Sequence, residues 1–525
     1  MYDYLIKNAH IIDGTGSPRY TGSVGVKESR ISKIFRESGD ISAKTIIDGT
    51  GLYLTPGFID ISNHADTFGS LFEEPDMTVL LAQGVTTIIG GNCGTSVAPL
   101  FSTEAIKGLS KWEGTDRLNR NWNTMADFFT MLGSSQLTIN FGSLVGYSTI
   151  HRTLVPEERP FTPEEVQQSL QICSSALDQG ALGVSLGLAY SRMNLVSNAE
   201  LKDLAELIYE KDKILVVHMR HDGDEVLYAL DECIQLAAET GVRLHLSHLK
   251  VMGQKNWRFF DDFLERLTGA QSNPDINISF DTFPYVASNP FLYVMLPSWI
   301  TKHGRNEMLQ QLQEPSVRES VIAEMKANGY DYHRIIVSSA ETLPTVVGSN
   351  ILQIAKNQGV GIEEALIYLI RATHGQARVI VQAINEDHLD TLIMKAGAMI
   401  GSDGIGYGQK SIDSHRFDHP RSFGAFPQFL GAYPVPGKLS WEESIARITS
   451  VPAQRYQLSD QGFIKEGYCA DLVLFDPEKV SSSANYIHPS QLAQGVSTVF
   501  VNGHLVWNEG AFTGKLSTGR IITRD

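Results

Sequence analysis

The middle of the chain alternates short apolar runs with amphipathic segments, and this pattern predicts repeated units of one β-strand and one α-helix. Helix signals stand between the runs, for example a capping box with proline at Thr162–Glu165 and serine caps at Ser197 and Ser440. Eight such units favour a (β/α)₈ TIM-like barrel over a doubly wound sheet. The candidate strands are Phe58–Ile61, Thr86–Ile89, Leu137–Val145, Leu182–Leu188, Ile214–Val217, Leu244–Leu246, Ile276–Phe280 and Ala398–Ile400.

The two ends of the chain differ from the middle, because both consist of short strand-like runs separated by turn signals. Asn502-Gly503, between two apolar triplets, predicts a type I′ hairpin. We predict one small β-sandwich built from residues 1–55 and 446–525, next to a barrel over residues 56–445. Two separate terminal domains are the alternative. The candidate strands are Tyr4–Ile12, Gly22–Val26, Ile31–Phe35, Thr45–Ile47, Asp471–Phe475, Thr498–Asn502, Leu505–Trp507 and Gly519–Thr523.

One connection is much longer than a single helix requires. Between Phe280 and Ala398 lie a further strand-like run, Arg334–Val337, and two helix-like segments, Glu314–Asn328 and Asn350–Asn357. We therefore predict a small inserted subdomain over about residues 289–350, after the seventh strand. An insertion at that rim of a barrel would shape the substrate pocket.

Composition and charge narrow the range of partners. The 525 residues are enough for a barrel and a second module, and the net charge of −16 argues against nucleic acid or anionic membranes as partners. A local arginine could still attract an anionic substrate. No apolar run reaches about 18 residues and no basic leader is evident, so a cytoplasmic location is expected. The four cysteines lie far apart, which makes a disulfide framework unexpected.

Five apolar runs end on side chains that bind metals. Because a barrel places the C-terminal ends of its strands around one mouth, residues distant in sequence would converge there. Zn²⁺ accepts such a mixture of thiolate, imidazole and carboxylate ligands. The pattern therefore predicts a metal-dependent hydrolase. The five candidates are His64, Cys93, His218, His248 and Asp403.

Cys93 is the least ordinary candidate, since it follows a strand-like run and lies between Gly91 and Gly94. A role as a small buried hydrophobic residue is the alternative, and that is our interpretation of Cys173 and Cys233 on their predicted helices. The position of Cys93 within a series of strand ends favours metal binding.

His218 and His248 each end a β-type run, and two histidines at matching positions favour ligands over core residues. Asp403, in Ile400–Gly404, fits a general base that accepts a proton from water activated by the metal. An aspartate that caps a turn before glycine is the alternative for Asp403.

A series of motifs, in the same order and over essentially the whole chain, resembles the D-aminoacylase family of the amidohydrolase superfamily. The resemblance implies a TIM barrel with a terminal β-sandwich and zinc-dependent hydrolysis of N-acyl-D-amino acids. The motifs are Pro56–Asp60, Gly91–Gly94, His218–Arg220, Ser247–Lys250, Asp281–Tyr285, Gly401–Gly404, His419–Arg421, Gly467–Leu472 and Val501–Gly503.

The resemblance also implies roles for individual residues. It implies that the tightly bound zinc lies on Cys93, His218 and His248, that Asp403 is the base, and that Arg421 binds the substrate carboxylate. His64 would border the ion and complete a weak second site. Further candidates for substrate binding are Tyr285, Lys250 and Arg220, of which the last two could equally form structural ion pairs.

Departures from the family pattern affect the second metal and the substrate. The family has His-x-His after the first strand, whereas this chain has Ser62 and His64, so we expect one tightly bound zinc and a second site that is weak or absent. Asp66 is a possible substitute ligand.

Other departures affect the third strand and the carboxylate clamp. Tyr147 replaces a family histidine. Phe283 and Asn289 replace a tyrosine and a serine that help hold the substrate carboxylate in the family. Arg421 has a charged, planar guanidinium group whose paired N–H donors match a carboxylate.

Three alternatives remain open at this point. Gly183–Gly187 matches the Gly-x-Ser-x-Gly pattern of serine hydrolases, with Ser185 as nucleophile, although no helix signal follows directly. The changes at Ser62, Tyr147 and Phe283 could mark a non-catalytic binding relative. A hydrolase of cyclic amides or of another N-acyl compound is the third alternative.

The preferred hypothesis is a cytoplasmic zinc amidohydrolase that cleaves the amide bond of a small N-acyl-D-amino acid, with no nucleic-acid or membrane partner. The sequence leaves open the acyl group, the side-chain preference, the D or L selectivity and the oligomeric state.

Overall fold

The computed structural model describes residues 1–37, 41–101, 122–301, 304–328 and 331–524. The protein is mixed α/β, with one large sheet made by the two ends of the chain and two groups of parallel strands made by the middle. A two-stranded antiparallel sheet pairs Ile335–Ser339, within the predicted insertion, with Arg378–Val381, which lies beyond its predicted end.

The two β-rich ends of the chain pair in one nine-stranded sheet. The junction is an antiparallel pairing in which Leu472 lies opposite Pro56 and Phe475 opposite Tyr53. Its strands are Tyr2–Ile11, Tyr20–Lys27, Arg30–Phe35, Ala43–Asp48, Tyr53–Pro56, Leu472–Phe475, Val496–Val501, His504–Asn508 and Ala511–Phe512.

The hairpin predicted at Asn502-Gly503 is confirmed. Val501 pairs with His504, and both turn residues have positive φ, 47° at Asn502 and 77° at Gly503. Positive φ at both central positions defines a type I′ turn, which matches the twist of the flanking strands.

The parallel strands follow one another in the order that the sequence predicts. An additional parallel bridge between Asn63 and Gly404 brings the segments after the first and the last of these strands together. The strands are Phe58–Asp60, Val85–Gly90, Asn140–Ser143, Val145–Gly146, Gly183–Gly187, Ile214–His218, Arg243–Leu246, Ile278–Thr282 and Met399–Ile400.

Helices lie between these strands and cover them. The predicted capping boxes are confirmed at Thr162 and Ser440, and the Ser197 side chain accepts a bond from the Glu200 amide. The helices are Ser70–Glu73, Thr78–Ala82, Met125–Gly133, Tyr147–Leu154, Pro163–Asp178, Asn198–Glu210, Val226–Thr240, Phe260–Ser272, Glu386–Met394, Gln409–Asp413, Arg421–Ala432, Trp441–Ile448 and Ser450–Arg455, with 3₁₀ turns at Met193–Leu195 and Gln254–Phe259.

The apolar runs predicted the parallel strands well because these strands are buried on both faces. Every residue of Val85–Gly90, Gly183–Gly187 and Ile214–His218 is buried. Strands covered on both sides read as continuous apolar runs, whereas a strand with one wet face would alternate.

The C-terminal strand does not join the terminal sheet as its grouping in the sequence suggested. Ile521–Ile522 pairs in parallel with Phe141 and Gly142, next to the third predicted strand. That strand, predicted as Leu137–Val145, is split: Asn140–Ser143 pairs with Val85–Gly90, and Val145–Gly146 pairs with Gly183–Gly187. The end of the chain thus lies alongside the strands of the middle.

The segment after the seventh predicted strand has its own core of buried residues, which runs from Phe291 to Val381. It therefore extends beyond residue 350, where the sequence placed its end, because the helices after that point pack into the same core. Its elements are the strands Ile335–Ser339 and Arg378–Val381, the helices Ser298–Thr301, Arg305–Gln311, Pro315–Asn328, Ile351–Gln358 and Ile362–Ala372, and 3₁₀ turns at Leu292–Met295, Tyr332–Arg334 and Pro344–Val346.

Among the described helices, none combines the length and the apolar character that crossing a membrane requires.

A buried polar cluster links the terminal sheet to the parallel strands. The Asn140 side-chain amide donates to Asp471 Oδ2 at 2.9 Å, and its Oδ1 accepts from Asn502 Nδ2 at 2.7 Å and from the Arg520 amide at 3.1 Å. Asp471 also accepts from Gln461 Nε2 at 2.8 Å. One asparagine thus joins the third strand to the terminal sheet and to the C-terminal tail.

Replacing Asn140 with leucine should lower the free energy of unfolding by about 2–4 kcal/mol, because Asp471 and Asn502 would lose buried partners. Guanidinium unfolding followed by circular dichroism measures this change. The control is Asn357→Leu, at an exposed position of Ile351–Gln358, which should change stability little. Equal losses in the two variants would contradict the linking role of Asn140.

Candidate metal centre

The structure brings the five predicted metal-binding side chains together at the carboxyl ends of the parallel strands. His218 is the last residue of its strand, and the other four follow shortly after theirs. Two overlapping groups form, Cys93 with His218 and His248, and His64 with Cys93 and Asp403. In each group the potential ligand atoms lie within 4.8 Å of one another.

The first group has distances that suit a zinc ion. Cys93 Sγ lies 3.8 Å from His218 Nδ1 and 3.4 Å from His248 Nε2. Zinc bonds of about 2.3 Å to sulfur and 2.0–2.1 Å to nitrogen, at a tetrahedral angle, separate the two ligand atoms by about 3.6 Å. A thiolate and two imidazoles at these separations fit one ion.

The protonation of His248 also fits metal binding. Burial, together with the charge of Lys250, holds the pKa of His248 well below its ordinary value. The ring is therefore neutral at physiological pH, and a neutral imidazole is the form that ligates a metal.

The second group shares Cys93 with the first. His64 Nε2 lies 3.1 Å from Asp403 Oδ1, and both side chains are largely buried. Ser62, at the place of a family histidine, has a buried hydroxyl with no hydrogen-bond partner among the described residues. This group thus offers one imidazole, one carboxylate and a shared thiolate.

Asp66, the substitute ligand suggested by the sequence, has a backbone partner. Its Oδ2 accepts a bond from the Gly91 amide at 2.9 Å, and it belongs to neither group of possible ligands. Burial raises the pKa of Asp66 to about 6. The carboxyl group therefore fixes the backbone ahead of Cys93.

Three of the candidate ligands have a left-handed backbone, with φ of 52° at Cys93, 38° at His248 and 46° at Asp403. This conformation costs a non-glycine residue about 1–3 kcal/mol and persists only where the surroundings impose it. The three side chains leave their strands at sharp turns, which aim them at one another.

Ser185 holds the Cys93 turn. Its hydroxyl donates to the Gly91 carbonyl and accepts from the Gly94 amide, the latter at 3.0 Å. Ser185 lies in the middle of the buried strand Gly183–Gly187, not at a strand-to-helix turn. The serine-hydrolase alternative is therefore wrong, because the pattern requires an exposed hydroxyl at such a turn.

Two buried aspartates hold the other turns. Asp281 Oδ1 lies 3.1 Å from the His248 amide and 2.8 Å from His245 Nε2. Asp60 accepts bonds from Ser402 through its amide at 2.9 Å and its hydroxyl at 2.6 Å. Each carboxylate thus fixes the backbone at or next to a candidate ligand.

Lys250 lies behind His248 rather than at an open substrate pocket. Its Nζ is 3.1 Å from His248 Nδ1 and 2.8 Å from Asp222 Oδ2, and Asp222 in turn lies 3.4 Å from His218 Nε2. Burial raises the pKa of Asp222, but the charges of Lys250 and His218 outweigh it and lower that pKa overall. Asp222 can accept a bond from His218 Nε2, which leaves His218 Nδ1 for a metal, and its ion pair with Lys250 holds Lys250 behind His248.

Arg421 contacts the predicted base. Its Nη1 lies 2.6 Å from Asp403 Oδ2, and its guanidinium lies 4.8 Å from the centre of the Phe283 ring. Burial raises the pKa of Asp403, but Arg421, His248 and His64 together hold it well below its ordinary value. The carboxylate is therefore ionised at neutral pH.

Two other predicted substrate-binding residues have structural positions instead. Arg220 forms an ion pair with Glu232 at 3.0 Å and also donates to the backbone and side-chain oxygens of Asn194. These bonds, rather than a substrate, occupy its guanidinium. The Tyr285 hydroxyl lies 3.4 Å from the Pro420 carbonyl, and its ring packs on His419. Tyr285 thus supports the turn that carries Arg421.

Sequence reasoning missed the supporting residues Ser185, Asp222 and Asp281. Asp222 stands four residues after His218, and Asp281 opens one of the matched motifs. Those positions were visible in the sequence. The partners of these side chains were not, because each contact joins residues far apart in the chain or across a turn.

Comparison with known proteins gives similarity over the full length. A model described as the amidohydrolase family matches residues 413–507. The D-aminoacylase of Alcaligenes xylosoxydans xylosoxydans is 30% identical over 527 residues, which covers 100% of this chain and 98% of that protein.

Two solved structures are similar over 100% of both chains. The N-acyl-D-glutamate deacylase of Bordetella bronchiseptica, solved with zinc and a phosphonate mimic of the tetrahedral intermediate, has a TM-score of 0.83 at 27% identity. A D-aminoacylase with a binuclear metal centre, in which one metal activates and the second attenuates, has a TM-score of 0.83 at 28% identity. Structural neighbours of this kind are amidohydrolases with a TIM-barrel core.

Replacing Cys93 with alanine should weaken zinc binding by more than about 100-fold, since loss of a residue that only hydrogen-bonds to a ligand already costs about 10–100-fold. Competition with a zinc indicator measures the affinity. Cys233→Ala is the matched control, because Cys233 is buried in Val226–Thr240 and lies in neither ligand group. Unchanged affinity in the Cys93 variant would rule out a thiolate ligand.

Proposed function

The chain belongs to the D-aminoacylase family of metal-dependent hydrolases of C–N amide bonds, and we propose that it hydrolyses N-acyl-D-amino acids with one tightly bound zinc ion. The observation that carries the proposal is the group of Cys93, His218 and His248, whose donor atoms have the separations that zinc requires. Full-length similarity to a D-aminoacylase supports the substrate class.

In this proposal the metal-binding residues form one strong site and one weaker site. Cys93, His218 and His248 hold the principal ion, and His64 borders a weaker second position that lacks the histidine replaced by Ser62. When bound, zinc polarises an amide carbonyl and lowers the pKa of a nearby water molecule.

Asp403 acts as the general base. Its carboxylate is buried and ionised, with one oxygen near His64 and the other near Arg421. It takes the proton of the attacking water and later gives that proton to the leaving amine nitrogen, so one group serves both steps.

Arg421 binds the substrate carboxylate. Its Nε is buried and has no hydrogen-bond partner among the described residues, which leaves a donor for a ligand. The Asn289 side chain, at the place of the family serine, donates to Asp418 Oδ1 at 3.0 Å and accepts from the Ser338 hydroxyl at 2.7 Å. The clamp for the α-carboxylate therefore depends mainly on Arg421.

The same proposal includes the architecture of the whole chain. The parallel strands would close into a (β/α)₈ barrel, and this is supported by their order and by the Asn63–Gly404 bridge. The terminal sheet would form a β-sandwich domain from residues 1–55 and 446–525.

The function is tested with purified protein and added zinc, by measuring amine release from N-acetyl-D-leucine and N-acetyl-L-leucine and the ring opening of hydantoin to its N-carbamoyl acid. We expect hydrolysis of the D substrate, with kcat/KM at least about 100-fold above that for the L substrate. Arg421 and Asp403 have fixed positions, so only one enantiomer can place its carboxylate and its amide bond correctly at the same time. Preferred cleavage of hydantoin would instead support the cyclic-amide alternative. No turnover of any substrate by zinc-loaded protein would support the binding relative.

Replacing Asp403 with asparagine should lower kcat by about 10²–10⁴-fold while the protein retains zinc, because the amide cannot take the proton. Steady-state kinetics and elemental analysis of the same sample measure both quantities. Asp418→Asn is a matched control at a buried carboxylate outside both ligand groups. Turnover that survives in the Asp403 variant would remove this residue as the base.

Replacing Ser62 with histidine should raise the zinc content from about one to about two ions per chain, because it restores a second imidazole beside His64. Ser62 Cβ and Asp281 Oδ2 lie on either side of Gly401, each within 3 Å of the position that a Cβ on Gly401 would take, and Asp281 Oδ2 is buried and unpartnered among the described residues. Elemental analysis after dialysis against zinc measures the content, with Ser62→Ala as control. Two ions already present in the unmodified protein would contradict the one-zinc proposal.

A further inference from the structure

A cavity next to Cys93 is lined on one side by the strand-and-helix region and on the other by the inserted segment. We call it the arginine cavity, because three arginines from three different parts of the chain line it. Cys93 connects it to the candidate metal centre. The residues that matter for its chemistry are Cys93, Arg152, Glu158, Tyr190, Arg192 and Arg305.

Arg152 is the least compensated of these charges. It lies in the last turn of Tyr147–Leu154, and its Nη1 is buried with no hydrogen-bond partner among the described residues. Burial, together with the charges of Arg192 and Arg305, lowers the pKa of Arg152 to about 10. The partial negative charge at the helix C-terminus stabilises the Arg152 cation. It is not a counter-ion that pairs with the guanidinium.

Arg192 has a structural task that fixes its position. Its Nη1 donates to the Val155 carbonyl at 2.8 Å and its Nη2 donates to the Pro156 carbonyl at 2.7 Å, at the end of the helix that carries Arg152. Its charge therefore stays at the wall of the cavity, where it repels cations and attracts anions.

Among the described residues that line the cavity, Glu158 is the one carboxylate. Its Oε2 accepts a bond from the Arg305 amide at 2.7 Å, and its Oε1 accepts from the Ser191 hydroxyl at 3.3 Å. Within the described part of the chain, no ion pair joins Glu158 to an arginine side chain. Three arginines thus face a single carboxylate, in a protein whose overall charge is −16.

We propose that the arginine cavity binds a second carboxylate of the substrate, so that the preferred substrates are N-acyl-D-amino acids with a carboxylate besides the α-carboxylate. The inference rests on the proposed function, because the α-carboxylate is assigned to Arg421, which does not line this cavity. Buried guanidinium groups bind carboxylates through paired, charge-assisted hydrogen bonds. A carboxylate would supply the counter-charge that Arg152 and Arg305 lack.

The second carboxylate could stand on the amino-acid side chain or at the far end of the acyl group. N-acetyl-D-glutamate against N-acetyl-D-glutamine tests the side chain. N-succinyl-D-leucine against N-butyryl-D-leucine tests the acyl group. Each pair differs mainly in one charge, so the ratio of kcat/KM within a pair reports the anion site and identifies its source.

We expect the charged member of one pair to be preferred by at least about 10-fold. Arg152→Met and Arg305→Met should each lower kcat/KM for that member by about 10–100-fold, while the neutral member stays within about twofold. Arg334→Met, at an exposed site of the same inserted segment, should change neither ratio. Arg152→Met should also raise the melting temperature, because an uncompensated buried charge opposes folding.

A binding measurement separates this inference from the proposed function. Glutarate should raise the melting temperature of the unmodified protein and of Arg334→Met, but not that of Arg152→Met. Hydrolysis of N-acetyl-D-leucine with no preference in either pair would overturn the anion site and leave the function standing. Absence of hydrolysis together with arginine-dependent binding of glutarate would overturn the function and retain an anion site. No effect of glutarate and no charge preference would exclude the site.

Discussion

The candidate centre depends on one constraint: the Cys93 sulfur and one ring nitrogen from each of His218 and His248 must stay within 4.8 Å of one another. A metal binds them as a thiolate and two neutral imidazoles, whose lone pairs repel one another when no cation lies between them, so the surrounding chain must hold them in place. The left-handed backbone at Cys93 and His248 aims the side chains, and bonds from Ser185 and Asp281 stabilise that backbone. The strain is thus borne by strands buried on both faces.

Two ion pairs balance the charges next to the candidate centre, and some buried arginine donors nearby keep no hydrogen-bond partner among the described residues. Asp222 is balanced by Lys250, and Asp403 is balanced by Arg421. Both pairs keep a carboxylate ionised beside a histidine. Among the described residues, Arg421 Nε and, in the arginine cavity, Arg152 Nη1 and Arg192 Nε are buried donors without a hydrogen-bond partner. In the proposed function these are the positions where a substrate with two carboxylates would bind.

Much of the fold was predictable, because burial leaves a direct trace in sequence. Strands such as Ile214–His218 are covered on both faces and read as unbroken apolar runs, and the Thr162 and Ser440 caps follow local rules. The placement of the C-terminal strand was not predictable, since Ile521–Ile522 pairs with Phe141 and Gly142 far away in the chain. Short strands carry too little local signal to name their partners.

By itself the sequence determined the five side chains that could bind a metal, the order of the strands that present them and the loss of a histidine at Ser62. Only the tertiary structure decided how charged residues divide between site and scaffold. It tied Arg220 to Glu232, placed Lys250 behind His248 and turned three arginines toward one cavity. The physical reason is that apolar burial is a local property of a segment. The partner of a buried charge depends on which distant segments the fold brings next to it.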